Sequence, residues 1–132
     1  RKHGRIIAQA ACLSKKGYFV PPTLIGELEE YHPLIREEQF APLLPIQRFT
    51  REEDVVARAN NTHYGLTASV WSADEKRAEA LVQQVDAALL CVNKHNKCTF
   101  NVGLCMSKQS GVGWMFGDEG IKEYLQPHLL FR

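Results

Sequence analysis

The sequence predicts an α/β fold: a largely parallel sheet with flanking helices, in the order strand, helix, strand, helix, strand (βαβαβ). Three observations predict it. Residues 43–49, 66–71 and 87–92 have strand-like apolar patterns, and the two segments between them place apolar residues at helical spacing. Ala87-Ala88-Leu89-Leu90-Cys91-Val92 is continuously apolar, as expected of a sheet covered on both faces. Alternating elements of this kind imply right-handed crossovers between neighbouring parallel strands. The whole chain, residues 1–132, is expected to form a single α/β domain around one core.

The elements follow in order. Tyr18-Phe19-Val20-Pro21-Pro22-Thr23-Leu24-Ile25 reads as an extended segment broken by prolines. Leu43 to Phe49 reads as a strand, and Pro45 places it at an edge or early in a ladder. Thr50-Arg51-Glu52-Glu53 has the capping-box pattern, with the Thr hydroxyl facing the N3 amide and Glu53 reaching back. Val55, Val56 and Ala59 supply the apolar face of the helix that follows. Asn60 and Asn61 tolerate the left-handed conformation that ends it. Leu66 to Trp71 alternates like a half-buried strand. Ser72-Ala73-Asp74-Glu75 is a second capping-box pattern, opening a helix that turns Ala78, Leu81, Val82 and Val85 toward a core. Residues 94–118 read as a long polar, Gly-containing loop, the kind of segment that carries binding function. Asp118 to Leu125 suggests a short helix stopped before Pro127, and His128 to Phe131 a terminal strand with no obvious partner in the chain.

Composition narrows the function classes. The hydrophobic fraction of 45% and charged fraction of 23% are ordinary for a soluble globular protein. A formal net charge of +1 gives no reason to expect a nucleic-acid or anionic-membrane partner. No apolar run approaches the roughly 20 residues of a membrane-spanning helix. The N-terminus is basic, but Ile6-Ile7-Ala8 is too short for a signal-peptide core, so a cytoplasmic location is expected. The missing initiator Met leads us to expect that the chain begins inside a longer gene product. Cys12, Cys91, Cys98 and Cys105 do not form C-x-x-C pairs, so no metal site or disulfide framework is expected, only reduced, partly buried thiols.

No complete catalytic constellation is visible. There is no G-x-S-x-G elbow, no P-loop, and no G-x-G-x-x-G after a strand. His32, His63 and His95 are scattered and read as surface or packing residues. Glu37 and Glu38 read either as an acid–base pair or as a solvated charged loop. Phe40 reads either as a core ring or as a flat surface for a heteroaromatic ligand. A carboxylate two residues from such a ring suits a nucleoside: Glu38 can accept from ribose hydroxyls while Phe40 packs beside the base.

Ordered motifs then point to a family. Gly17-Tyr18-Phe19-Val20-Pro21-Pro22-Thr23, Arg36-Glu37-Glu38-Gln39-Phe40-Ala41-Pro42, Asn60-Asn61-Thr62-His63-Tyr64-Gly65-Leu66, Val92-Asn93, Lys108-Gln109-Ser110-Gly111-Val112-Gly113 and Glu119-Gly120-Ile121-Lys122-Glu123-Tyr124 occur in sequence. Together they resemble the C-terminal part of the NAD(P)-dependent aldehyde dehydrogenases across nearly the whole chain. The resemblance implies that Glu38 and Phe40 hold the nicotinamide ribose and flank the nicotinamide of NAD or NADP. It also implies that Cys98 to Leu104 line the aldehyde entrance, with Cys98 and Leu104 as substrate-binding residues. The final strand is implied to join a neighbouring subunit's sheet, making the chain a homo-oligomer or the partner of a missing N-terminal portion.

Departures from the family pattern cluster where function is read. Gln39 and Ala41 replace the usual Ile and Gly, Gly103-Leu104-Cys105-Met106 replaces Pro-Phe-Gly-Gly, and Trp114-Met115 replaces Arg-Glu. The family's catalytic cysteine, general-base glutamate, oxyanion-hole asparagine and dinucleotide-binding fold lie upstream of the matched segment. The isolated chain is therefore expected to be inactive and to bind no cofactor. The alternative is a non-catalytic oligomerisation or interaction module derived from the same fold.

Overall fold

The computed structural model describes residues 4–11, 14 and 16–132, so Cys12 lies outside the described residues. The chain divides into two compact units, residues 1–50 and 51–132.

The first unit is built on a three-stranded sheet in the order β1-β2-β3, where β1 is Arg5–Gln9, β2 is Thr23–Gly26 and β3 is Leu43–Pro45. β1 runs antiparallel to β2, with a register shift between Ile6 and Ala8, and β2 runs parallel to β3. The proline-broken stretch at 18–25 thus ends as β2, once past Pro21 and Pro22. Thr23 is buried; its hydroxyl donates to the Pro21 carbonyl at 2.8 Å and accepts from Gln9 Nε2 at 2.9 Å. β3 is shorter than the pattern over 43–49 suggests. Pro45 lacks an amide hydrogen, but the sheet continues one residue further, where the Ile46 amide donates to the Ile25 carbonyl at 2.8 Å. Of the two positions that Pro45 suits, an edge or an early place in a ladder, β3 takes the edge of this sheet. A short helix, α1 (Pro33–Arg36), lies between β2 and β3 in the chain. His32 caps it by accepting the Leu34 amide hydrogen on Nδ1 at 3.2 Å, and Pro33 occupies the first turn.

The second unit contains α2 (Glu52–Asn60), β4 (Thr67–Val70), α3 (Glu75–Val82), β5 (Leu89–Val92), β6 (Leu104–Cys105), β7 (Trp114–Met115) and α4 (Gly117–Lys122). β4 and β5 pair in parallel across α3, from Thr67↔Leu89 to Val70↔Val92. The order strand, helix, strand, helix, strand over residues 43–92 is present, but its strands lie in two sheets: β3 beside β2, and β4 beside β5. Ala78 and Val82 of α3 and Cys91 of β5 are the buried apolar residues. Leu81 and Val85 are half-buried. β4 is half-buried throughout rather than alternating, and Leu90 of β5 is exposed, so the sheet is not covered on both faces within the described residues.

Neither capping box forms as the sequence suggested. α2 begins at Glu52 with Arg51 as its N-cap and no side-chain cap, because Thr50 lies one residue too early. Glu52, Glu53 and Asp54 instead place negative charge in the first turn, where the helix dipole favours it. In α3 the cap is Asp74, whose Oδ1 accepts the Arg77 amide hydrogen at 3.0 Å; Ser72 supports it from two residues back by accepting the Asp74 amide hydrogen. Asn61 ends α2 at φ −79°, so no left-handed residue closes that helix.

Two further expectations change. Residues 94–118 are not one open loop: β6 and β7 form a small antiparallel hairpin within them, and α4 starts at Gly117. Gly111 (φ +156°) and Gly113 (φ +88°) take backbone angles that permit the tight turn between the two strands. Residues 128–131 are not a strand. Leu129, Leu130 and Phe131 are exposed, and no strand of the described chain lies beside them to pair with.

Candidate functional site

Glu38 and Phe40 lie on the loop between α1 and β3. At its start the Glu37 amide donates to the Pro33 carbonyl at 2.8 Å, and Gln39 Nε2 reaches the Pro33 and Glu37 carbonyls at 3.4 and 3.3 Å. At its end the Pro42 carbonyl accepts the Thr23 amide hydrogen at 2.9 Å, tying the loop to β2. Between these anchors the Phe40 ring is 94% exposed and Glu38 is exposed. A core role for Phe40 is thereby excluded in this chain. The bonds anchor the loop at its two ends and leave the ring uncovered, with a carboxylate two residues away. Next to the loop, a groove of about 540 Å³ is lined by Ala41, Pro42, Leu43 and Leu44 together with residues of β1 and β2.

Cys98 and Leu104 lie in the second unit, so the four candidate residues fall into two pairs, each described within its own unit. Cys98 is exposed and Leu104 is half-buried on β6. Of the thiols expected to be partly buried, Cys91 is buried, whereas Cys98 and Cys105 are exposed. Phe100 and Phe116 meet edge to face at 5.2 Å, and the Gly117 amide donates to the Phe100 carbonyl at 3.0 Å, closing the loop onto the start of α4. Gly103 faces the Trp114 ring and the Glu119 carboxylate; a Cβ there would come within 3.2 Å of Trp114 Cε3 and 2.9 Å of Glu119 Oε2. Among the described residues no three His, Cys, Asp or Glu side chains come together as a metal-binding group. No described helix is long and apolar enough to cross a membrane.

Backbone strain concentrates in this region. Of five non-glycine residues with positive φ among the described residues, Asn93, Asn96, Lys108 and Phe116 lie between positions 93 and 116. Such angles persist only where surrounding contacts over-determine them. Asn93 shows how. Its Oδ1 accepts the Ser72 amide hydrogen and its Nδ2 donates to the Ser72 carbonyl, both at 2.9 Å, while its own amide donates to Val70 at 2.9 Å. The Val-Asn pair thus closes β5 by clamping the end of β4.

One network is not visible in the sequence. Asn60 Nδ2 donates to the Gln84 carbonyl and its Oδ1 accepts the Asp86 amide hydrogen, each at 2.8 Å. Lys108 Nζ reaches the Asn60 carbonyl and the Asp86 carboxylate, each at 3.3 Å. The Gln109 amide donates to the His63 carbonyl, and the Gly65 amide to Ser110 Oγ, both at 2.9 Å. The Asn60-to-Gly65 turn and the Lys108-to-Ser110 turn, each singled out as a motif, are therefore docked on one another. A separation of 48 residues hides that pairing from any local reading.

A model of the family described as "Aldehyde dehydrogenase family" matches residues 2–129. Aldehyde dehydrogenase NAD(P)+ 2 of Saccharomyces cerevisiae is 36% identical over 111 residues, covering 84% of this chain and 22% of that protein. The structure of betaine aldehyde dehydrogenase from Staphylococcus aureus in complex with NAD+ superposes with a TM-score of 0.82 at 26% identity, covering 92% of this chain and 25% of that one. An aldehyde dehydrogenase from Bacillus cereus does so with a TM-score of 0.82 at 30% identity, again over 92% and 25%. The chain thus spans about a quarter or less of the length of these relatives. It belongs to the aldehyde dehydrogenase family.

Proposed function

We propose that these 132 residues are the C-terminal part of the catalytic domain of an NAD(P)-dependent aldehyde dehydrogenase, an enzyme that oxidises aldehydes to carboxylic acids. The observation that carries the reading is the family match over residues 2–129, set against relatives nearly four times as long. In this reading Glu38 binds the nicotinamide ribose, Phe40 flanks the nicotinamide, and Cys98 to Leu104 form part of the aldehyde entrance. When bound, the nicotinamide accepts hydride from the substrate. The chain's own residues orient that ring and shape the entrance. The reaction also needs a thiolate nucleophile, and Cys91, Cys98 and Cys105 do not lie in the family's nucleophile motif. The isolated chain is accordingly proposed to bind no cofactor and to turn over no aldehyde. A cytoplasmic location belongs to the same reading.

Surface area supports incompleteness. The chain exposes 11044 Å² for a mass of 15.0 kDa. A folded monomer of that mass exposes about 7,000 Å², and two separate globules the size of the two units about 8,500 Å². The surplus of about 2,500 Å² is of the order that obligate interfaces bury. β1 is exposed along all five residues, and β2–β3 is a parallel pair, a type normally covered on both faces. In the complete parent we propose one α/β domain whose parallel sheet runs through residues 43–92. Reading the coding DNA immediately upstream tests this: an open frame encoding a Cys-containing catalytic segment supports it, and an in-frame stop followed by a start codon opposes it.

A second reading, a non-catalytic interaction module, draws on exposed Leu129, Leu130 and Phe131. In either reading the terminal segment is proposed to become a strand by pairing with a second copy. A strictly monomeric protein by light scattering would oppose that pairing.

A further inference from the structure

We infer that Lys108 is a positioning residue: it locks the tip of the β6–β7 hairpin onto the Asn60-to-Gly65 turn and so sets where residues 98–106 lie. That these residues face an aldehyde rests on the function proposed above; the lock itself does not. The hairpin ladder is short, with Leu104↔Met115 and Cys105↔Trp114 extended by the Met106 amide donating to Gly113 at 3.3 Å. Two paired residues on each strand make a marginal hairpin, so its placement has to come from contacts at its ends. At one end Phe100 and Phe116 close the loop on itself. At the tip, Lys108 bridges Tyr64, and its ammonium reaches both the Asn60 carbonyl and Asp86, with the side chain only 18% exposed.

The geometry is specific to a long cation in an unusual backbone state. Lys108 sits at φ +51°, which turns the chain back so that Gln109 and Ser110 bond to His63 and Gly65. The receiving turn leaves no slack. A Cβ on buried Gly65 would fall 2.9 Å from the Asp86 carbonyl, 3.2 Å from Ser107 Oγ and 3.3 Å from Lys108 Cδ. Asn60 completes the seat by fixing residues 84–86, which brings Asp86 within reach of the ammonium. One side chain therefore joins the end of α2, the α3–β5 turn and the hairpin tip.

Lys108→Met keeps the aliphatic stem and removes the charge, and site-resolved hydrogen exchange on the 132-residue chain reads the result. Amides of residues 99–110 should exchange about tenfold faster, the equivalent of about 1.4 kcal/mol, as expected for losing a charge-assisted bond. Amides of Val82 and Leu89–Val92 should keep their rates, and Lys108→Arg should restore most of the protection. Unchanged exchange at 99–110, or equal acceleration throughout residues 51–132, overturns the inference. If Lys108→Met does not fold, Asp86→Asn is read in the same way, because it removes the charged partner of the ammonium while leaving the lysine itself in place. Inactivity, or the absence of nucleotide binding, bears on the proposed function alone and leaves this readout intact.

Discussion

Asn93 offers the sharpest test of how the second unit holds together. Replacing it with Ala removes two hydrogen bonds to Ser72, each 2.9 Å long, and leaves a β-carbon at φ +50° without the local bonding that favours Asn there. At about 1 kcal/mol per bond, the lost pair costs about 2 kcal/mol. Left-handed backbone adds about 1 kcal/mol for Ala. Asn93→Ala should therefore destabilise the unit by about 3 kcal/mol. Asn93→Gly loses the same bonds without the strain and should cost about 2 kcal/mol or less. Asn93→Asp keeps an acceptor for the Ser72 amide but sets a carboxylate oxygen against the Ser72 carbonyl, for about 1–2 kcal/mol. Urea denaturation followed by tryptophan fluorescence reads all three, because Trp71 adjoins Ser72. An Ala variant within about 0.5 kcal/mol of wild type, or Ala and Gly variants that unfold together, would rule out this role for Asn93.

The remaining predictions address packing and the two proposed contact regions. Gly65→Ala should cost about 1–3 kcal/mol in the same assay, since its Cβ meets a backbone carbonyl at 2.9 Å and a backbone atom cannot rotate away. Val82→Ala, at a site 3% exposed, should cost about 2 kcal/mol from lost burial plus the cavity left behind. Glu38→Ala and Phe40→Ala should leave stability within about 0.5 kcal/mol of wild type, as both residues stand free of the core. Calorimetric titration of NAD+ should give the same flat response for the wild-type and Glu38→Ala chains; a saturable heat lost in the variant would contradict this. Removing residues 128–132 should leave denaturation unchanged, because all five are exposed, but should abolish any dimer seen by light scattering.

Local patterns made most of the element order legible. The helical spacing of Ala78 and Val82 and the continuous run ending in Cys91 identified the core of the second unit, because burial imposes those periods on the sequence itself. Cap identity was less legible: Thr50 and Ser72 match a capping pattern, yet a one- or two-residue change in where the helix begins hands the role to Arg51 and Asp74. The β6–β7 hairpin was missed because two-residue strands carry no period. The partner of β3 was missed because sheet neighbours are set by non-local pairing. At the site, Phe40 was recognisable by type but not by exposure. The Lys108, Asn60 and Asp86 network was hidden by sequence distance, although two of its members lie in motifs. The terminal segment read as a strand because its residues are apolar, but a strand also needs a neighbour.

We propose that the chain carries residues of a cofactor clamp and part of an aldehyde entrance, not a complete catalyst. The most direct test incubates the purified 132-residue protein with an aldehyde and NAD+ or NADP+ and follows formation of the reduced nucleotide. The expected result is no turnover above a protein-free blank. Sustained turnover that disappears when Cys91, Cys98 or Cys105 is replaced by Ser would contradict it.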